Sequence, residues 1–219
     1  MNEKLIVHYY TDILCVWAWI AQPRIEELNK NFPHNIIIKH HYLDIFGNTA
    51  EKIQRQWAER GSYNGFSQHV VDSAKPYKDA LINADIWSKT RPASSSNAHL
   101  ILKAVELCHD QSTSIKMALI FRKAFFIDAL DISNITQLYN ILQQHGIDEN
   151  PIRQTLLNGT AMAELMLDYQ QAKQQRLKGS PTYIIDNGRQ ILYGNVGYRV
   201  LHANIEEQLK QPNNEASWC

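Results

Sequence analysis

The most constraining stretch of this sequence is its opening. Leu5 to Tyr10 is a short, almost continuously apolar and aromatic run, which reads as a strand buried on both faces and therefore central in its sheet. After Thr11 and Asp12, the residues Trp17, Ala21, Ile25, Leu28 and Phe32 recur at helical spacing, so a helix starts near Cys15 and stops before Pro33. Pro23 falls inside it, where its missing N–H and its ring, crowding the Trp19 carbonyl, predict a kink. Ile36 to Leu43 is a second β-rich run. Strand, helix and strand in this order open a parallel sheet with a right-handed crossover.

From Thr49 the texture is helical, with no convincing strand until after Gly179. Ala98, Ile101, Leu102, Val105 and Cys108 form one stripe after the serines at 94–96, and Ile115, Leu119, Arg122 and Phe126 form another. Ser133 and Asn150 are candidate caps, Pro151 suits a first helical position, and Gly146 and Gly159 suit helix stops. Thr160 opens a long polar helix to Lys178. Thr182–Asp186 and Gln190–Tyr193 flank Asp186, Asn187 and Gly188 as a hairpin, and a last helix runs from Tyr198 to Leu209. The expected class is α/β, a thioredoxin fold with a helical insertion after the second strand. Residues 1–48 and 166–219 would form the discontinuous thioredoxin-like domain and 49–165 the inserted helical domain.

Composition narrows the function classes. The 219 residues carry 22 basic and 22 acidic side chains, a balance that speaks against nucleic acid or an anionic membrane as partner. No apolar run approaches the roughly 20 residues of a membrane span. The opening residues lack the pattern of a secretory signal, so a cytoplasmic location is expected. Three cysteines, Cys15, Cys108 and Cys219, are too few and too scattered for a disulfide framework. Nine histidines offer no zinc spacing, and adjacent His40 and His41 on a strand must face opposite ways. No metal site is expected.

Cys15 sits where a strand hands over to a helix. A thiol there faces unpaired N–H groups and the positive end of the helix dipole, which favour thiolate and predict a pKa below the roughly 8.5 of a free cysteine. The alternative is a small buried core residue, a common fate of unreactive cysteine; Cys108, on an apolar stripe, is read that way. Asp12 either bonds the turn before Cys15 or caps the helix, and its charge opposes thiolate formation. Trp17 and Trp19 cover sulfur or core. Pro181, in Gly179-Ser180-Pro181-Thr182, marks either an edge at a strand start or a cis turn whose neighbours pair with an extended substrate. Asn195 and Val196, before the last helix, are either a helix start with Asn195 as cap or an anion site.

Cys15-Val16-Trp17-Ala18 after a strand, a helical insertion, and Gly179-Ser180-Pro181-Thr182 before a hairpin together resemble the DsbA-type thioredoxin superfamily. The similarity is strongest to the branch of FrnE-like oxidoreductases, kappa-class glutathione transferases and 2-hydroxychromene-2-carboxylate isomerases. The resemblance implies that Cys15 is the attacking cysteine, that Pro181 is a cis-proline facing it, and that Trp17, Ala18, Ser180 and Thr182 line the substrate. It also implies glutathione contacts at Asn195 and Val196. Ala18 is the departure, since dithiol members carry a resolving cysteine there and transferase and isomerase members usually have serine at the first position.

The expected function is a cytoplasmic thiol-disulfide oxidoreductase with one nucleophilic cysteine. No cofactor is tightly bound, and glutathione, as co-substrate, or another external thiol acts as resolver; Cys219 is a further candidate. The substrate is a thiol or disulfide, on a small molecule or a protein, and a homodimer is left open. The alternatives are a glutathione-dependent transferase or isomerase, and a thioredoxin-like binding module without catalysis.

Overall fold

The computed structural model describes residues 4–210. The apolar opening run is strand β1 (Leu5–Thr11), followed by helix α1 (Val16–Asn31), which includes Pro23, and strand β2 (Ile36–Tyr42). β1 and β2 pair in parallel, from Leu5 opposite Ile36 to Thr11 opposite Tyr42. A π-helical turn at Glu51–Arg55 and a short 3-10 turn lead into α2 (Ser62–Ala74). Then come α3 (Ser96–Cys108), α4 (Gln111–Phe126), α5 (Ile135–Gln144), α6 (Glu149–Leu157) and α7 (Thr160–Gln174). α7 is continuous across residues 165 and 166, where the sequence suggests a boundary. The chain re-enters the sheet as β3 (Thr182–Ile185) and β4 (Gln190–Tyr193), an antiparallel pair, and ends its described part with α8 (Tyr198–Leu209).

β3 runs antiparallel along the free side of β1, with Tyr183 opposite Tyr9. The strand order β2-β1-β3-β4 places β1 inside the sheet, and Tyr9, Tyr10 and Thr11 are accordingly buried whichever face they point to. Alternation assigns the faces. Val7, Tyr9, Ile36, Ile38, Tyr183 and Ile185 pack beneath Ile25 and Leu28 of α1 and Leu201 and Ile205 of α8. Tyr10 and Ile184 point the other way, toward Ala172 of α7. His40 and His41 separate likewise: His40 packs on Tyr9, and His41 bonds Asp168 of α7.

Two caps differ from the sequence reading. Asn134 caps α5 by accepting from the N–H groups of Thr136 and Gln137, and Asp148 caps α6 by accepting from that of Asn150. Ser133 instead donates to Asp131 and accepts from the Ala93 N–H. Pro151 is the third residue of α6 rather than its first, a place where its missing N–H still costs nothing. Gly146 and Gly159 do follow helix ends with positive φ.

The helical segment has its own core, and the first turns of α1 belong to it. Ile13, Leu14, Cys15, Ala18, Trp19 and Ile20 are buried together with Leu102, Phe121 and Phe125. Trp19 stacks on Phe126 at 5.6 Å between ring centroids, and its indole N–H donates to the Leu81 carbonyl at 3.0 Å. The Cys15 end of α1 is therefore gripped by helices, and its far end by the sheet.

Candidate active site

Cys15 occupies the N-cap position of α1 with extended backbone, and its carbonyl accepts from the N–H groups of Ala18 and Trp19 at 3.1 Å. The turn that delivers it is closed by its own N–H donating to the Asp12 carbonyl at 3.1 Å and by the Leu14 N–H donating to Asp12 Oδ1 at 2.9 Å. Asp12 thus bonds the turn; it does not cap α1.

Opposite the thiol lies the turn before β3. The Ser180–Pro181 peptide bond is cis, and the Cys15 thiol donates to the Ser180 carbonyl with Sγ 3.2 Å from it. The Asp12 N–H donates to Ser180 Oγ at 2.9 Å, so one residue ties the two turns together. Thr182 donates back to the Gly179 carbonyl at 2.7 Å, and the Gly194 N–H donates to the Pro181 carbonyl at 2.7 Å. Cys15 and the Ser180–Pro181 turn are thus brought together. Ala18 is fully buried behind Cys15, and Trp17 is half-buried.

The charge state of Cys15 departs from the sequence expectation. The thiol is only 5% exposed. Burial pushes it above its ordinary value, and the charge of Asp12 pushes the same way; hydrogen bonds from Ser180 and from the N–H groups of Ala18 and Trp17 oppose this without winning. A helix terminus lowers a thiol pKa only as far as desolvation allows, and depth of burial is not written in local sequence. Burial thus favours the thiol over the thiolate at Cys15.

Asn195 does not cap α8, whose N-cap is Gly197 without a side-chain bond. Its side-chain oxygen accepts from Arg24 of α1, and its amide nitrogen donates to the Tyr77 hydroxyl. The Val196 N–H donates to the Gly194 carbonyl at 2.8 Å, and its side chain packs on the α1–α8 core. Both residues are near the site, since Gly194 bonds Pro181, but the Asn195 side chain and the Val196 N–H already have protein partners. Cys108 is half-buried with Sγ 4.0 Å from Thr155 Oγ1, and Cys219 lies outside the described residues. Among the described residues no group of three or more His, Cys, Asp or Glu could hold a metal, and no helix is long and apolar enough to cross a membrane.

A cysteine at the head of α1, facing a cis-proline turn across the end of a β2-β1-β3-β4 sheet, defines a thioredoxin-class protein with helices inserted after its second strand. Residues 6–206 match the family described as the DSBA-like thioredoxin domain, and the chain belongs to that family. No curated protein sequence matches it significantly. Among solved structures it is similar to a probable DsbA oxidoreductase of Streptomyces coelicolor, with TM-score 0.73 and 16% identity over 98% of this chain and 94% of that one. It is similar also to the cytosolic disulfide reductase DsbM of Pseudomonas aeruginosa, with TM-score 0.70 and 17% identity over 94% and 99%. A 2-hydroxychromene-2-carboxylate isomerase follows with TM-score 0.63 and 15% identity over 97% and 100%. Identities this low speak for fold.

Sequence reasoning missed the residues that come from afar. Phe46 and Ser95 converge on Asp12, His99 on Ile13 and Arg122 on Thr11, and Arg24 and Tyr77 on Asn195. Asp12 alone carried a local signal, three residues ahead of Cys15.

Proposed function

We propose that this chain is a thiol-disulfide oxidoreductase that works with one cysteine, Cys15, and an external thiol such as glutathione as resolver. The observation that carries the reading is Cys15 Sγ held against the Ser180 carbonyl beside Pro181, with fully buried Ala18 at the position where a second thiol would have to stand. In the forward half, Cys15 loses its proton and attacks the glutathione-side sulfur of a mixed disulfide. The Cys15–glutathione disulfide forms, the other S–S bond breaks, and the substrate leaves as a thiolate that takes up a proton. A second glutathione thiolate then attacks the bound glutathione sulfur, restoring Cys15 and releasing oxidised glutathione. Backbone at Ser180 and Thr182 lines the approach, Trp17 covers one side, and the loop of Asn195 and Val196 adjoins it through Gly194 and Pro181.

Cys108 is a poor resolver. It ends α3, twelve residues beyond the Ser96 end that adjoins Asp12, which puts it about 18 Å away along the helix. A reducing compartment such as the cytoplasm suits cysteines that are unpaired, as Cys15 and Cys108 are among the described residues, and the similarity to cytosolic DsbM, one structure of which was solved with glutathione, supports the same setting. The test is reduction of a glutathionylated peptide with glutathione as the electron source. Turnover is expected in wild type and none in Cys15→Ser; equal rates in both would overturn the reading.

The depth of Cys15 favours a second reading. A 5% exposed thiol facing the helical segment suits a small electrophile held with glutathione, as in a glutathione-dependent isomerase or transferase. Isomerisation or conjugation that requires glutathione, without disulfide turnover, would select it.

A further inference from the structure

Asp12 is fully buried, yet its carboxylate is ringed by donors from three separate parts of the chain. Oδ1 accepts from the Leu14 N–H at 2.9 Å, and Oδ2 accepts from the Phe46 N–H at 2.8 Å and the Ser95 hydroxyl at 2.9 Å. Phe46 and Ser95 are where the chain leaves the sheet domain and where α3 begins. The Ser95 N–H donates to the Phe46 carbonyl at 2.9 Å, and Thr49 bonds the carbonyls of Pro92 and Ala93. One carboxylate therefore clasps both sides of this stem while the same residue's backbone holds the Cys15 N–H and Ser180 Oγ.

The charged surroundings are sparse. His99 of α3 has Nε2 3.8 Å from Oδ1, but that nitrogen accepts from the Ile13 N–H at 3.1 Å, so it carries no proton and the pair is not an ion pair. Burial keeps His99 neutral, its pKa pushed down to about 3, with Nδ1 3.2 Å from the Tyr169 hydroxyl of α7. The nearby cation is Arg122 of α4, fully buried, whose Nη2 donates to Thr11 Oγ1 at 2.7 Å and whose Nη1 reaches Gln22 Oε1 at 3.4 Å; its Nε has no protein partner. Cys15, at the head of α1, and Tyr169, whose hydroxyl is pushed up by burial and also by the Asp12 charge, are the remaining titratable groups near Asp12 among the described residues.

We propose that Asp12 is the positioning residue of this site: its carboxylate joins the turn before Cys15 to the stem of the helical segment, its backbone N–H holds the Ser180 turn, and its negative charge stands against a second one on the Cys15 sulfur. Arg122, behind Thr11, is the cation that helps keep Asp12 ionised. Thiol and carboxylate compete for a single negative charge in one dry region, so anything that moves the stem changes the reactivity of the sulfur. Burial pushes Asp12 up to about 6 against its three hydrogen bonds and Arg122, so above that pH the charge of the region sits on the carboxylate and below it the constraint on the sulfur is relaxed.

The proposal rests on Cys15 being the reacting group. The experiment is alkylation of the full chain with iodoacetamide between pH 5 and 10, read at Cys15 by peptide mass. Asp12→Asn should lower the titration midpoint of Cys15 by about one pH unit, hence about tenfold faster alkylation at pH 7, while turnover of a glutathionylated peptide falls because the Phe46 N–H and the stem lose their acceptor. Faster alkylation with slower turnover separates a positioning residue from a merely structural one. An unchanged or higher midpoint in folded Asp12→Asn protein overturns the proposal. If that variant does not fold, Ser95→Ala removes one donor and leaves the charge; Asp12 then titrates higher and alkylation between pH 6 and 7 speeds up, and a profile identical to wild type overturns the idea. Absence of glutathione turnover in wild type would sink the proposed function and leave the alkylation result intact.

Discussion

Replacing Asp168 by asparagine tests how the helical segment is fastened to the sheet. Asp168, on α7, accepts from His41 Nδ1 at 2.8 Å, from the Tyr42 N–H at 2.9 Å and from Lys103 Nζ of α3 at 2.8 Å, and the Asp168 and Lys103 side chains are 4% and 6% exposed. Burial raises the Asp168 carboxyl, but the His41 bond and the Lys103 charge outweigh it and hold the group below its usual range. Asparagine keeps the shape and deletes the charge, leaving Lys103 buried with only Glu106, 3.5 Å away and more exposed, to answer it. Breaking a buried pair in this way costs about 3 to 5 kcal/mol, and Glu106 argues for the lower end. For a chain of this length each kcal/mol moves the melting temperature by roughly 2–4 °C, so a fall of about 6–12 °C is expected by calorimetry at pH 7. The same bonds fix the pH window. A carboxyl depressed in the folded state stabilises fully above its unfolded pKa of roughly 3.9, and the stabilisation is lost as pH falls through the lower folded value. Wild type should therefore lose its advantage over Asp168→Asn only below about pH 4. In a Lys103→Met background the substitution should cost much less, because no buried cation is orphaned. A loss under about 1 kcal/mol, or an equal loss in both backgrounds, would refute the pairing as the source of stability.

Other outcomes follow from single contacts. Ser180→Ala removes the acceptor of the Asp12 N–H and a hydrogen bond that favours the Cys15 thiolate; it should cost about 1–3 kcal/mol and raise the alkylation midpoint of Cys15. Asn195→Ala severs α1 and Tyr77 from the β4–α8 loop, and should weaken glutathione dependence, read as a raised KM with kcat little changed. Ala18→Cys adds a sulfur at a fully buried Cβ and should cost about 1–3 kcal/mol by overpacking, yet form a bridge to Cys15 on mild oxidation and make turnover independent of glutathione. A variant that stays unbridged by mass would show that Ala18 is not simply a missing resolver.

Much of the sheet was legible because its signals are local. The run from Leu5 to Tyr10, the β-branched residues before Tyr42 and the Asp186–Gly188 turn each carry their own period or turn chemistry, and the pairing of β1 with β2 follows from the intervening helix. The placement of Cys15 beside Ser180 was legible only through two short motifs taken together. Helix caps were misplaced by a residue or two where several capping side chains stand in a row, as at Asp131–Asn134, since only the geometry decides which of them turns inward.

Charge state was not legible, for a reason that applies beyond this chain. The same helix N-terminus that favours thiolate at Cys15 is packed under Leu102, Phe121 and Phe125, residues about ninety or more positions downstream, and their effect is of opposite sign. Arg122 illustrates the same limit: in sequence it sits at helical spacing between Leu119 and Phe126 and reads as part of an apolar stripe, yet it is a fully buried cation bonded to the last residue of β1. A lone arginine on an apolar stripe is a signal that the helix packs on something polar. Here that partner is the Thr11–Asp12 turn, which makes the spacing of Arg122 a pointer to the site as much as a feature of the helical core.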